Sequence, residues 1–101
     1  MGKVNLVIVL TINPAEKESL THYLTNLSIL YEQVGAKRIA KYDISETLIG
    51  DKSKTPTFSV IMEFPSMEAL EKVFKGDKYE KLVPYREKAF LDVKAYISKE
   101  Q

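Results

Sequence analysis

At 101 residues the chain is long enough for one domain with one buried core, and too short for a core plus a separate substrate domain. Its 45% hydrophobic and 29% charged residues give an ordinary globular composition, and a net charge of +1 offers no clustered basic surface for nucleic acid. The absence of cysteine excludes disulfides, thiolate chemistry and cysteine-ligated zinc or iron-sulfur sites, and accords with a reducing cytoplasm.

Met1-Gly2-Lys3 runs straight into a strand-like stretch without the basic and apolar succession of an export signal, so the expected location is cytoplasmic. The longest apolar run, residues 6–10, is far too short for a membrane span, and no membrane partner is expected. Val4, Leu6, Ile8, Leu10 and Ile12 alternate with Asn5, Val7, Val9 and Thr11, a period of two that predicts a strand with two largely apolar faces. Asn13 and Pro14 then read as the N-cap and first position of a helix. Leu20, Tyr23, Leu24, Leu27, Leu30, Tyr31 and Val34 follow at helical spacing, and Gly35 is the expected stop.

A second strand is predicted over residues 36–49, with Ala40, Tyr42, Ile44 and Leu48 on one side and Lys37, Lys41, Asp43 and Ser45 on the other. The polar turn at 50–54 leads into a strand over 57–64, giving an antiparallel hairpin. Pro65 ends that strand and Ser66 caps a helix that turns Met67, Leu70, Val73 and Phe74 inward and stops near Gly76. A short helical segment carries Tyr79, Leu82 and Arg86, interrupted by Pro84, before a closing strand over 90–97.

This β-α-β-β-α-β succession is the α+β, ferredoxin-like arrangement: a four-stranded antiparallel sheet with the helices on one face. The helices are expected to cover Leu6, Ile8, Leu10, Phe58, Val60, Met62, Leu91 and Val93. The opposite face then carries Val7, Val9, Ile61 and Tyr96 among Asn5, Thr11, Ser59, Glu63, Asp92 and Lys94. One reading is a semi-polar, solvated sheet. The other, which the apolar content favours, is a homodimer with two such faces packed about a two-fold axis.

Residues 61–69, Ile-Met-Glu-Phe-Pro-Ser-Met-Glu-Ala, and residues 79–86, Tyr-Glu-Lys-Leu-Val-Pro-Tyr-Arg, resemble the small dimeric α/β-barrel proteins grouped as domain of unknown function 1330. The resemblance is specific in the C-terminal half and extends to the N-terminal half as pattern only. It implies a ferredoxin-like protomer spanning 1–101 whose sheet meets that of a second copy to close a barrel with helices outside. It implies no established activity. The wider superfamily includes cofactor-independent monooxygenases, muconolactone isomerases, haem-binding peroxidase relatives and ligand-sensing domains, commonly with a pocket between sheet and helices. Fold does not choose among these. One related group uses a His-Asp pair, whereas the only histidine here is His22, which has no recognisable partner.

Tyr79, Leu82 and Arg86 are spaced to share one helical face if the helix continues past Pro84. Arg86 is suited to a bidentate hold on a carboxylate ligand, or to pinning its segment to Glu63, Asp92 or a backbone carbonyl. Tyr42, with Tyr23 and Tyr31, fits either an aromatic pocket with polar tips or core packing. The expected site is thus a pocket near Tyr42, Tyr79 and Arg86 that takes a small anionic or aromatic molecule. Two alternatives stand beside it: a cofactor-independent oxygenase or isomerase using His22 or a tyrosine as base, and a structural module with a filled core. No metal ligand set, phosphate-binding loop or dinucleotide fingerprint is present, so neither metal nor cofactor is expected. Residues 57–62 lack the glycine and basic lead of an RNA-recognition strand.

Overall fold

A computed structural model describes residues 2–99 of the chain. The alternating apolar segment forms β1 (Val4–Ile12), followed by α1 (Lys17–Gln33) and β2 (Lys37–Asp43), then β3 (Phe58–Phe64), α2 (Met67–Phe74), α3 (Asp77–Ala89) and β4 (Phe90–Lys99). The sheet runs β2-β3-β1-β4 with every neighbouring pair antiparallel, the ferredoxin-like order. The second helical stretch is two consecutive helices, so the succession is β-α-β-β-α-α-β.

The helix boundaries have local causes. Asn13 is not the cap of α1: its Oδ1 accepts from the Ala15 amide at 3.1 Å, its Nδ2 donates to the Lys88 carbonyl at 3.2 Å, and its own amide donates to the Ala89 carbonyl at 2.8 Å. It therefore fastens the entry of α1 to the exit of α3, and α1 begins only at Lys17. The far end stops as predicted at Gly35, whose φ of 74° favours glycine. Ser66 caps α2, its Oγ accepting from the Ala69 amide at 3.1 Å. Contrary to the predicted interruption, α3 passes through Pro84 without ending. Burial of Tyr79, Leu82 and Ala89 on the same helix opposes the break.

The predicted second strand is cut short. Past Asp43 the chain forms an irregular connection with a short 3₁₀ turn at Lys52–Lys54, held by the Ser53 amide donating to Asp51 Oδ1 at 3.0 Å and by the Thr47–Thr55 hydroxyl pair at 2.6 Å. Leu48, expected within the strand, is exposed in this connection.

The three helices cover the sheet face that holds Leu6 and Leu10 of β1 with Phe58, Met62 and Phe64 of β3. Phe64 is wholly buried and makes edge-to-face pairs with Tyr31 at 5.7 Å and Phe74 at 6.3 Å. Val93 faces this side opposite Leu10, but Leu91 does not join it. A register shift between Thr11 and Ile12 pairs Thr11 with Asp92 and Ile12 with Phe90, leaving Leu91 bulged and 66% exposed while Phe90 takes the buried place.

A second irregularity, between Arg38 and Ala40, decides the faces of β2. Beyond it Ala40 pairs with Ile61 and Tyr42 with Ser59, so both lie on the open face of the sheet, while Lys41 pairs with Val60 on the helix side. That open face carries Val7, Val9, Ile61 and Tyr96 in adjoining register, joined by Ala40 and Tyr42.

Candidate functional site

Between the helix layer and the sheet lies a chamber of about 430 Å³. Its floor is Leu6, Ile8 and Leu10 of β1 with Val93, Ala95 and Ile97 of β4, Tyr23, Leu27 and Tyr31 of α1 form the opposite wall, and exposure of Leu24, Val93 and Ile97 leaves it open to solvent on one side. Its volume falls within the range of small-molecule sites, and its walls are mostly apolar. One charged side chain, Arg86, is among the lining residues.

The polar groups of the chamber form one connected set. Arg86 donates through Nη1 to the Tyr79 hydroxyl at 2.9 Å, and that hydroxyl lies 2.9 Å from the buried hydroxyl of Tyr23. α3 contributes Tyr79 and Arg86 from one face, and α1 contributes Tyr23 across the helix interface. Either tyrosine can donate in the pair, but only one hydroxyl hydrogen is consumed there. If Tyr23 donates, the Tyr79 hydrogen is spare; if Tyr79 donates, the Tyr23 hydrogen is spare. The set thus retains one phenolic donor beside a guanidinium with further N–H groups uncommitted.

Among the described residues Arg86 makes no ion pair with a carboxylate. Glu63 pairs instead with Lys3 at 3.4 Å and Asp92 with Lys94 at 3.6 Å, which settles against the pinning role for Arg86 with these two acids. Partial burial is the largest influence on Arg86 and works against its charge. The Tyr79 hydrogen bond and the potential of Tyr79, Tyr23 and Glu87 outweigh it, so its pKa is raised and it remains cationic.

Burial first, then the Tyr79 hydrogen bond, pushes the Tyr23 hydroxyl well above its ordinary pKa. Burial likewise raises Tyr31, with a smaller contribution from Tyr79. Both stay neutral at physiological pH and act as hydrogen-bonding groups, not as bases. The Tyr31 hydroxyl forms no hydrogen bond among the described residues, while its ring is packed against Phe64 and Phe74.

Of the three residues predicted to form the pocket, Tyr79 and Arg86 come together and Tyr42 does not. Tyr42 is 64% exposed on the open face, because the β2 irregularity turns the apolar side of that strand away from the helices. His22 lies outside the chamber in a separate groove between α1 and α3, its ring packed at a tilt against Tyr85 with centroids 4.0 Å apart and with Lys78 and Lys81 lining the same groove. The Tyr23–Tyr79 contact is not visible in sequence, since the residues stand 56 positions apart with no shared motif. Among the described residues no group of three or more potential ligands is placed to hold a metal, and no helix is long and apolar enough to cross a membrane.

Comparison with known proteins agrees with this architecture. Residues 6–97 match the family described as domain of unknown function (DUF1330). No curated protein matches the sequence. Among solved structures, the chain is similar to a protein of unknown function from Rhodopseudomonas palustris, at 19% identity and TM-score 0.86 over 99% of this chain and 83% of that one. It is also similar to SnoaB, a cofactor-independent oxygenase from Streptomyces nogalater, at 12% identity and TM-score 0.66 over 100% of this chain and 95% of the oxygenase. A dimeric protein of unknown function with a ferredoxin-like fold from Bacteroides fragilis aligns at 8% identity and TM-score 0.61, over 99% and 98% of the two chains. These likenesses establish the fold alone.

Proposed function

The chain belongs to the DUF1330 family, and from that premise we propose that it binds a small apolar or aromatic molecule carrying an anionic group, in the chamber between sheet and helices. One observation carries the reading: Arg86 is the charged group of a mostly apolar chamber and has no carboxylate ion-pair partner among the described residues. A partly buried cation is less screened than one on the open surface, and its apolar surroundings invite an anion with an apolar body. The spare phenolic hydrogen of the Tyr23–Tyr79 pair supplies a second donor to the same anion.

The test is a titration with phenylalkanoic acids followed by backbone amide NMR shifts. Shifts concentrated at Tyr23, Tyr79, Arg86 and Val93 support the reading. Saturable binding that moves only residues of the open sheet face, or no binding, removes it.

The active species in this proposal is a homodimer, supported by the apolar open face and by the dimeric neighbour of like fold, and its place is the cytoplasm, in keeping with a cysteine-free chain. A second reading, turnover of the bound molecule as in the similar cofactor-independent oxygenase, is favoured by the donor set itself. Donors that meet a carboxylate equally stabilise a phenolate or enolate oxygen. Because Tyr23 and Tyr31 retain their protons and His22 lies outside the chamber, the substrate's proton would pass to solvent water, with Arg86 stabilising the phenolate or enolate left behind. Oxygen uptake with a candidate phenol, lost on Arg86→Ala, is its test.

A further inference from the structure

We infer that the preferred ligand is an elongated monocarboxylic acid, its head group at Arg86 and its apolar tail running beneath α1 into a second chamber on the β2 side. The inference rests on the binding reading above and adds the length and polarity of the molecule.

The second chamber measures about 420 Å³ and lies between α1 and the β2–β3 part of the sheet. It shares Leu24, Leu27, Tyr31, Phe58 and Val60 with the first, so the two adjoin along this set of side chains. The partition is apolar apart from the Tyr31 hydroxyl. Since that hydroxyl holds no protein partner among the described residues, shifting the side chain breaks no hydrogen bond of the fold. Leu24, which is exposed, is the side chain of this set with room to change between staggered positions without disturbing the core. A compact ligand would fill one chamber and leave its neighbour empty, whereas a chain of methylenes passing the partition gains apolar contact in both.

The charges orient the molecule. At the mouth of the second chamber Arg38 and Lys41 are accompanied by Glu32, and Lys41 lies 3.8 Å from Asp43 and 5.0 Å from the centre of the Phe58 ring. Both cations are exposed to solvent, which screens their hold on an anion. Arg86, by contrast, is half-buried, lies beside the Tyr79 and Tyr23 hydroxyls and forms no ion pair among the described residues. The anionic head belongs at the sheltered end beside the two hydroxyls, and the tail belongs in the second chamber.

Calorimetric titration with straight-chain acids from butanoate to dodecanoate, below their micellar concentrations, tests this directly. Beyond the length that fills the first chamber, affinity is expected to rise by about fourfold per added methylene. Ala36→Phe narrows only the second chamber and should abolish that gain for long acids while leaving short ones unaffected. Ser28→Phe, at an exposed helix position lining the same chamber, gives the same reading if the first variant folds poorly. Affinity that levels off at the length of the first chamber, or long acids that bind both variants as tightly as the wild type, would overturn the elongated ligand while leaving the Arg86 site standing. Failure of every acid to bind would remove both.

Discussion

Arg86 reaches back along α3 to donate to the hydroxyl of Tyr79 at 2.9 Å, seven residues and about two turns earlier, across the stretch that contains Pro84. The contact joins three levels of the molecule. Spacing puts both residues on one helical face, burial of the Tyr79 ring fixes its hydroxyl, and that hydroxyl aims the guanidinium into the chamber. The helix retains this line although Pro84 lacks the amide that would bond to the Glu80 carbonyl.

Replacement of Pro84, which is exposed, by alanine restores that bond without loss of buried area. Urea denaturation should show a gain of about 1–3 kcal/mol, the penalty of proline in a helix interior less some relaxation. A destabilised Pro84→Ala protein would show that the proline contributes to the fold in some other way.

Tyr79 is the hub of the polar set, so the two tyrosines are predicted to differ on removal of one oxygen. Tyr79→Phe takes the acceptor from Arg86 and the partner from the buried Tyr23 hydroxyl, and should cost about 1–3 kcal/mol. Tyr23→Phe leaves the Arg86–Tyr79 bond in place and should cost about 1 kcal/mol. In a double-mutant cycle the second change should add little to Tyr79→Phe, because the shared bond is already gone. Equal, additive losses would contradict the hub.

Alkaline pH should expose the raised tyrosines. Tyr23 and Tyr31 keep their protons in the folded chain well beyond the ordinary tyrosine pKa of about 10, whereas the unfolded chain releases them near it. Their contribution to stability is complete below about pH 10 and is lost as pH rises from there toward the folded values, with a slope of up to about 1.4 kcal/mol per pH unit for each residue. Thermal melts between pH 8 and pH 11 should decline more steeply for the wild type than for Tyr23→Phe/Tyr31→Phe. Parallel declines would contradict the assignment.

The sequence pattern made the strand and helix order legible because each element has its own period and punctuation: alternation in β1, a continuous stripe in α1, and Ser66 ahead of α2. Tyr79 and Arg86 were legible as a pair through helical spacing. Tyr42 was misplaced because a single extra residue in β2 reverses the faces beyond it, and nothing in Lys37-Arg38-Ile39-Ala40 marks that irregularity. Leu91 was misplaced for the same reason on β4. The Tyr23–Tyr79 bond and the second chamber depend on how far α1 stands from the sheet, a tertiary quantity that no local spacing encodes.

The open face tests the assembly independently of the chamber. Val7, Val9 and Ile61 lie in register on its central strands, with Tyr42 and Tyr96 on the flanks. Light scattering should give about twice the 11.5 kDa chain mass, and Ile61→Lys should shift the protein toward a single chain by placing a charge at the middle of the interface. A wild-type protein of single-chain mass at micromolar concentration would leave the face solvated and remove the dimer.

The role of Arg86 is tested most directly by comparing a phenylalkanoic acid with its primary amide, alike in shape and different in charge, on the wild type and on Arg86→Gln. The wild type should prefer the acid by about tenfold or more, the worth of a charge-assisted hydrogen bond, and Arg86→Gln should bind the two alike. Equal binding of acid and amide by the wild type, or an acid preference that survives Arg86→Gln, would contradict the account.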